Sequence, residues 1–229
     1  MSSLAAARAL LAADLRREAR TGEALVPMLM FALVVLVVAG FTFNLPEMTP
    51  EDRRRLAPGI LWTAIAFAML VGQARSLLAD RDEERWLGVL VSPLDRTVLF
   101  GVKWLEGLLL GAAVEVLLVP LTIVFFDLEA GGGRLAALSV ILLLGTAGLA
   151  ALGTLLGSLT ASLGRGEALL AILVLPVATP VLLAGSLTTA AVLAGSGLAG
   201  AAPWPAVAAA ALGIYLALGA LLFESVLAE

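Results

Sequence analysis

Two kinds of chemistry-bearing group stand out against an apolar background. The first is a carboxylate in a charge-poor stretch: Glu115, in Ala113-Val114-Glu115-Val116-Leu117, with Pro120 five residues on. If that stretch crosses a membrane, an acid midway along it costs several kcal/mol unless it is paired, neutralised or hydrated. Two readings stay open: a polar point facing a cavity or helix interface, and a protonated side chain hydrogen-bonded to a neighbouring helix. Glu106, three residues after Lys103, is explained more simply by a local ion pair. The second is the polar run Ala79-Asp80-Arg81-Asp82-Glu83-Glu84-Arg85-Trp86, followed by Leu87-Gly88-Val89-Leu90-Val91-Ser92-Pro93-Leu94-Asp95-Arg96. A charged turn leading into a short apolar helix that Ser92-Pro93 stops suits a groove on a partner protein. A solvated loop would have the same composition.

Several chemistries are excluded outright. The chain has no Cys, so no disulfide, iron–sulfur cluster or thiol nucleophile, and no His, so no imidazole base, no imidazole metal ligation and no His axial ligation of haem. Its single lysine, Lys103, follows Gly101-Val102 and precedes Trp104, which is not the Gly-Lys-Ser/Thr ending of a phosphate-binding loop. ATP-driven work therefore requires a partner. The basic residues are too few and too scattered for a nucleic-acid face.

The elements that must position these residues are membrane helices. Of 229 residues, 61% are hydrophobic and only 14% charged, and the mean hydropathy is +1.06. A soluble domain is about a quarter charged; this chain has too few charges to cover an aqueous surface. Crossing the hydrocarbon takes about 20 residues per helix. The charge-free stretches predict six spans, at about 25–45, 56–75, 104–126, 136–161, 168–194 and 205–224. The last two share one uncharged run, divided at Gly195-Ser196-Gly197 and Pro203-Trp204-Pro205. The first apolar run is too long for the core of a cleavable signal peptide and lacks a small-x-small site behind it. No domain boundary is visible, so residues 1–229 read as one all-α integral membrane domain.

Basic residues orient the spans. With the N-terminus inside, Arg8, Arg16, Arg17, Arg20, Arg75, Arg81, Arg85, Arg96, Lys103 and Arg165 fall inside, and Arg53, Arg54, Arg55 and Arg134 outside: ten against four. Both termini are expected in the cytoplasm. Trp62, Trp104 and Trp204 are expected near span ends, as an aromatic belt. Residues 1–20 read as an amphipathic interfacial helix, with Leu4, Leu11 and Leu15 on one side and Arg8, Arg16 and Arg17 elsewhere. The Gly145, Gly153 and Gly157 series of span four and the Ala209, Gly213 and Ala217 series of span six suit close intrachain packing. Pro120, Pro176 and Pro180 are expected to kink or break their helices.

At the polar loop the sequence resembles the type-2 ABC exporter permeases, and more closely the haem exporter permease family of cytochrome c maturation, the CcmB family. Leu56-Ala57-Pro58-Gly59-Ile60-Leu61-Trp62 resembles that family's signature at the start of span two. Ser92-Pro93-Leu94-Asp95-Arg96 resembles its coupling loop, and Ala171-Ile172-Leu173-Val174-Leu175-Pro176, with Pro180 following, its fifth span. The family usually carries Gly where Glu84 stands and often an acid where Leu87 stands.

The resemblance implies an ABC-2 type exporter permease fold with a cytoplasmic coupling helix between spans two and three, in the bacterial inner membrane. An ABC ATP-binding subunit would dock on Asp82, Glu83, Glu84, Arg85, Trp86, Leu87, Val89, Leu90 and Pro93. A haem-handling membrane subunit and a small single-span subunit would complete the complex, with one or two copies of this chain and indirect contact with a periplasmic haem chaperone. Haem would be the transported or handled species and no cofactor would be stably bound. ATP would be used through the partner, and the chain itself would not be an enzyme.

Rival readings make different demands. An intramembrane enzyme would need a catalytic set, and no His, Cys or acidic pair at membrane depth supplies one. A secondary transporter would need paired intramembrane charges and inverted repeats. An ABC-2 permease for a lipid or drug-like substrate remains, opposed by the matches at Leu56–Trp62 and Ala171–Pro176.

Overall fold

The computed structural model describes residues 3–82, 95–129, 131–162 and 166–226; for residues 3, 77–82, 158–162, 166–173 and 222–226 it describes the backbone alone. The described residues form the helices α1 (Ser3–Thr21), α2 (Leu25–Thr42), a 3-10 turn (Leu45–Glu47), α3 (Pro50–Asp82), α4 (Arg96–Phe126), α5 (Gly132–Ser162), α6 (Gly166–Leu193), the short α7 (Gly197–Gly200) and α8 (Trp204–Val226). Six of them, α2, α3, α4, α5, α6 and α8, are long and apolar enough to cross a membrane. The chain is an all-α multi-pass membrane protein.

The helix ends follow local chemistry more than the edges of the charge-free stretches. Thr49 caps α3, its hydroxyl accepting from the Asp52 amide at 3.2 Å and donating to the Asp52 carboxylate at 2.6 Å. Pro50 opens the helix, and Glu51 and Asp52 complement its N-terminal dipole. These signals start α3 six residues before the expected 56 and place Arg53–Arg55 in its first turns. Asp95 caps α4 by accepting from the Thr97 amide at 3.1 Å, so that helix begins at Arg96 instead of 104. With 31 residues α4 is roughly 46 Å long, against about 30 Å of hydrocarbon. The helix is therefore longer than the apolar layer is thick.

α1 ends on Gly22, whose positive φ of 65° closes the helix and turns the chain into α2. The Glu18 carboxylate accepts from the Ala24 and Leu25 amides, at 3.0 and 2.6 Å, and so caps α2 from the preceding helix. The inward face of α1 includes Leu10, packed against Leu99, Phe100 and Leu155. Leu4, expected on the apolar side, is 69% exposed.

α3 and α5 form the centre. α3 packs on α2, α4, α5 and α6, and α5 on α3, α4, α6 and α8. The main core runs through Trp62, Ile65 and Met69 of α3, Ile141, Leu142 and Leu149 of α5, and Ala178, Val181 and Ala184 of α6. Outward residues such as Met30, Val34 and Val38 of α2 and Val116 and Val124 of α4 are apolar and exposed, as a lipid-facing surface requires.

Two expectations are corrected and a third, on the prolines, is narrowed. Trp62 does not sit in an aromatic belt: it is 1% exposed, inside the bundle. Its indole occupies space left by Gly145 and Gly185, where a Cβ would collide with the ring. Ala209, Gly213 and Ala217 do not pack within the chain; they lie on the exposed face of α8, and nothing lies within 4 Å of a Cβ built on Gly213. Pro120, Pro176 and Pro180 do not end helices: α4 and α6 run through them. Hydroxyls bond carbonyls in the same turns, Thr122 to Leu118 at 2.8 Å, Thr179 to Leu175 at 3.2 Å and Tyr215 to Val177 at 2.5 Å. Membrane helices tolerate proline through such side-chain and neighbouring-helix bonds.

Candidate functional site

The buried polar groups of α4 face two neighbours, α1 near the start of its apolar stretch and α5 farther along. Lys103 Nζ lies 3.0 Å from Glu106 and 3.2 Å from Asp14 of α1. The local Lys103–Glu106 pair is thus present and is joined by a second carboxylate from another helix. Asp14 is 6% exposed and Glu106 is also buried. Buried charges persist only when paired and hydrogen-bonded. The ammonium therefore fastens α1 to the N-terminal end of α4.

One and two turns further on, Gly107 and Gly111 let neighbouring helices approach. A Cβ at Gly107 would meet Ala150 of α5 at 3.5 Å, and one at Gly111 would collide with Thr146 and Met69. Gln73 of α3 crosses this seam and donates to the Leu149 carbonyl at 3.2 Å. Its amide occupies the place a side chain at Gly153 would take. An unsatisfied amide is expensive in a water-free interior, so Gly153 and Gln73 are complementary: one leaves the space, the other fills it and bonds the backbone.

Glu115 lies one turn beyond Gly111, on the seam with α5. It is 6% exposed, and the Thr146 hydroxyl of α5 donates to its carboxyl oxygen. The acid thus lies at a helix interface, near the meeting of α3, α4 and α5. Trp62 Nε1 of α3 donates to Thr189 of α6 at 3.0 Å, and Trp104 Nε1 of α4 donates to the Ala147 carbonyl of α5 at 3.0 Å. These contacts hold helices in register. Among the described residues no cluster of metal-ligating side chains is present.

Of the residues singled out from sequence, the structure places Glu106 and Glu115 on opposite sides of α4, Glu106 with Lys103 and Asp14 of α1 and Glu115 against Thr146 of α5, with Pro120 farther along the same helix. Pro176 and Pro180 lie on the exposed side of α6. Asp82 closes α3, with its backbone alone described. Glu83, Glu84, Arg85, Trp86, Leu87, Val89, Leu90 and Pro93 lie outside the described residues.

Sequence reasoning missed Asp14, Gln73 and Thr146. Asp14 carried a signal: it is four residues after Leu10, on the apolar side of an amphipathic helix, where an acid needs a partner. Gln73 was visible as an amide within a predicted span. Thr146 had no distinguishing mark, because a hydroxyl can bond its own helix backbone.

The chain is similar to known proteins over most of its length. The family model described as "CcmB protein" matches residues 5–224. The chain is 36% identical over 172 residues to "Heme exporter protein B" of Pseudomonas aeruginosa, covering 73% of this chain and 72% of that protein. It is 34% identical over 179 residues to the protein of the same name from Rhodobacter capsulatus, covering 78% and 80%. For the one from Bradyrhizobium diazoefficiens the identity is 32% over 197 residues, covering 84% of each.

Proposed function

The chain belongs to the CcmB protein family, and on that premise we propose that it is the membrane permease component of an ABC-type haem-export complex serving cytochrome c biogenesis. The observation that carries the reading is the extent of the match, which takes in all six spans, together with relatives named as heme exporter protein B. The complex lies in the inner membrane with both termini of this chain in the cytoplasm, and the permease adopts an ABC-2 type architecture.

ATP hydrolysis belongs to a partner, because Lys103 is the only lysine and stands outside any phosphate-binding loop. The ABC ATP-binding subunit docks on the segment from Asp82 to Pro93. That segment joins α3 to α4, the two helices that carry Gln73 and Glu115. A push on it reaches the Gln73–Leu149 and Glu115–Thr146 contacts through continuous helix. Haem is handled without a lasting bond, since the chain offers neither His nor Cys as an axial ligand. The haem-handling membrane subunit and a small single-span subunit complete the assembly, and a periplasmic chaperone receives the product.

The test is deletion and complementation. Cells lacking the chain should lose covalently haem-stained c-type cytochromes while keeping b-type cytochromes, and the unaltered chain should restore them. Normal c-type cytochromes in the deletion strain would refute the assignment.

A further inference from the structure

The charges of α1 are sorted by face. Both of its acids point inward and are engaged: Asp14 by Lys103, and Glu18 by the Ala24 and Leu25 amides. Arg17 pairs with Glu23 at 2.7 Å. Arg8, Arg16 and Arg20 lie on the exposed face, and none has a partner among the described residues. At 100° per residue these three positions fall within about a third of a turn of one another. Ala9 and Ala13, both exposed, lie between Arg8 and Arg16 and leave the guanidinium groups uncrowded.

This face is held at the membrane boundary from two directions. Three residues separate the end of α1 from the first spanning helix, and Asp14 is tied to Lys103, the last basic residue of α4. A helix fixed at that level presents its open side to lipid headgroups. Leu4, 69% exposed at the start of the helix, adds an apolar contact one turn before Arg8.

We propose that the Arg8, Arg16 and Arg20 face of α1 binds the phosphodiester headgroups of anionic phospholipids, so that α1 is clamped between Lys103 on its inner side and lipid phosphate on its outer side. Guanidinium groups bind phosphate through paired N–H donors, and arginines close to an anionic leaflet gain attraction from its surface potential. The proposal requires the six-span bundle and is independent of haem export; it stands or falls on lipid binding alone.

The test uses the purified full chain in mixed micelles titrated with phosphatidylglycerol or phosphatidylcholine, with bound lipid counted by native mass spectrometry. The triple variant Arg8→Gln/Arg16→Gln/Arg20→Gln is compared with the unaltered chain and with Arg53→Gln/Arg54→Gln/Arg55→Gln, which removes equal charge from the start of α3. The unaltered chain should prefer phosphatidylglycerol, and that preference should weaken with salt. The α1 variant should lose it roughly fivefold per arginine, while the α3 variant keeps it. Equal lipid binding by the α1 variant and the unaltered chain would overturn the proposal. So would equal losses in both variants, which would indicate net charge alone. Retained lipid preference with lost co-purification of an ABC ATP-binding subunit would also overturn it and assign the face to a protein. If the triple variant fails to fold, the salt response of the unaltered chain decides: a phosphatidylglycerol preference indifferent to salt rejects the clamp.

Discussion

The Trp62 indole nitrogen donates to the Thr189 hydroxyl at 3.0 Å, joining α3 to α6 across the space that Gly145 and Gly185 leave open. The contact is a packing joint as much as a hydrogen bond. Trp62→Phe keeps most of the ring and removes the donor, and should cost about 1 kcal/mol. Gly145→Val or Gly185→Val forces a side chain into the ring and should cost about 3 kcal/mol or more. Denaturant titration of the purified chain in mixed micelles, followed by tryptophan fluorescence for the glycine variants and circular dichroism for Trp62→Phe, should give that ranking. Equal losses would mean that the hydrogen bond, and not the fit, carries the joint.

Glu115 and Thr146 join α4 to α5 at the middle of the bundle. Thr146→Val removes the donor and leaves the carboxyl group buried without it, which should destabilise by about 1–3 kcal/mol. Glu115→Gln keeps an acceptor oxygen in place, so the bundle should remain as stable as the unaltered chain. Cytochrome c maturation in the Glu115→Gln strain should nevertheless fall several-fold, because the polar contact is proposed to change during the transport cycle. Full maturation at normal protein level would reduce Glu115 to a packing group.

Lys103 holds two carboxylates, Asp14 on α1 and Glu106 on its own helix. Lys103→Met strands buried acids and should cost about 3 kcal/mol. Adding Asp14→Asn should recover part of the loss, and the double-mutant cycle measures the α1–α4 coupling. Hydrogen exchange should show residues 3–21 opening in Lys103→Met well before the spans do. Uniform protection would mean that Leu10 and its neighbours suffice to hold α1.

Reporter fusions test the orientation. The C-terminus and Arg165 should report cytoplasm, and Thr49, Gly132 and Gly197 the outside. A cytoplasmic signal at Gly132 or an external one at the C-terminus would contradict the alternating six-span arrangement.

Span number was legible because lipid imposes a coarse rule: about 20 apolar residues per crossing, with charges at the ends. That rule located all six spans. It missed the starts of α3 and α4, because capping by Thr49 and Asp95 carries helix into charged sequence. Facing was the harder problem. Spans apolar all round conceal which residues meet neighbours, so Trp62 resembled a belt residue and Ala209, Gly213 and Ala217 resembled a packing stripe. Gly145 and Gly185 come to Trp62 from two other helices, and no single-helix periodicity contains that fact. Glu115 was conspicuous because intramembrane acids are rare, whereas its partner Thr146 was one hydroxyl among several.

The central claim is that a partner's ATP hydrolysis is coupled through the segment between α3 and α4. Trp86 and Leu90 are four apart, and in a helix they would share one face. A tryptophan anchor in a docking surface is worth on the order of 2 kcal/mol or more. The most direct measurement is ATP hydrolysis by the co-expressed ABC ATP-binding subunit in membranes holding either the unaltered chain or Trp86→Ala, with the amount of inserted chain and co-purified ATPase determined in parallel. The account predicts equal insertion, ATPase co-purification reduced roughly thirtyfold under dilute conditions, and membrane-bound hydrolysis lost with it. Equal insertion with full ATPase binding and full hydrolysis would contradict it.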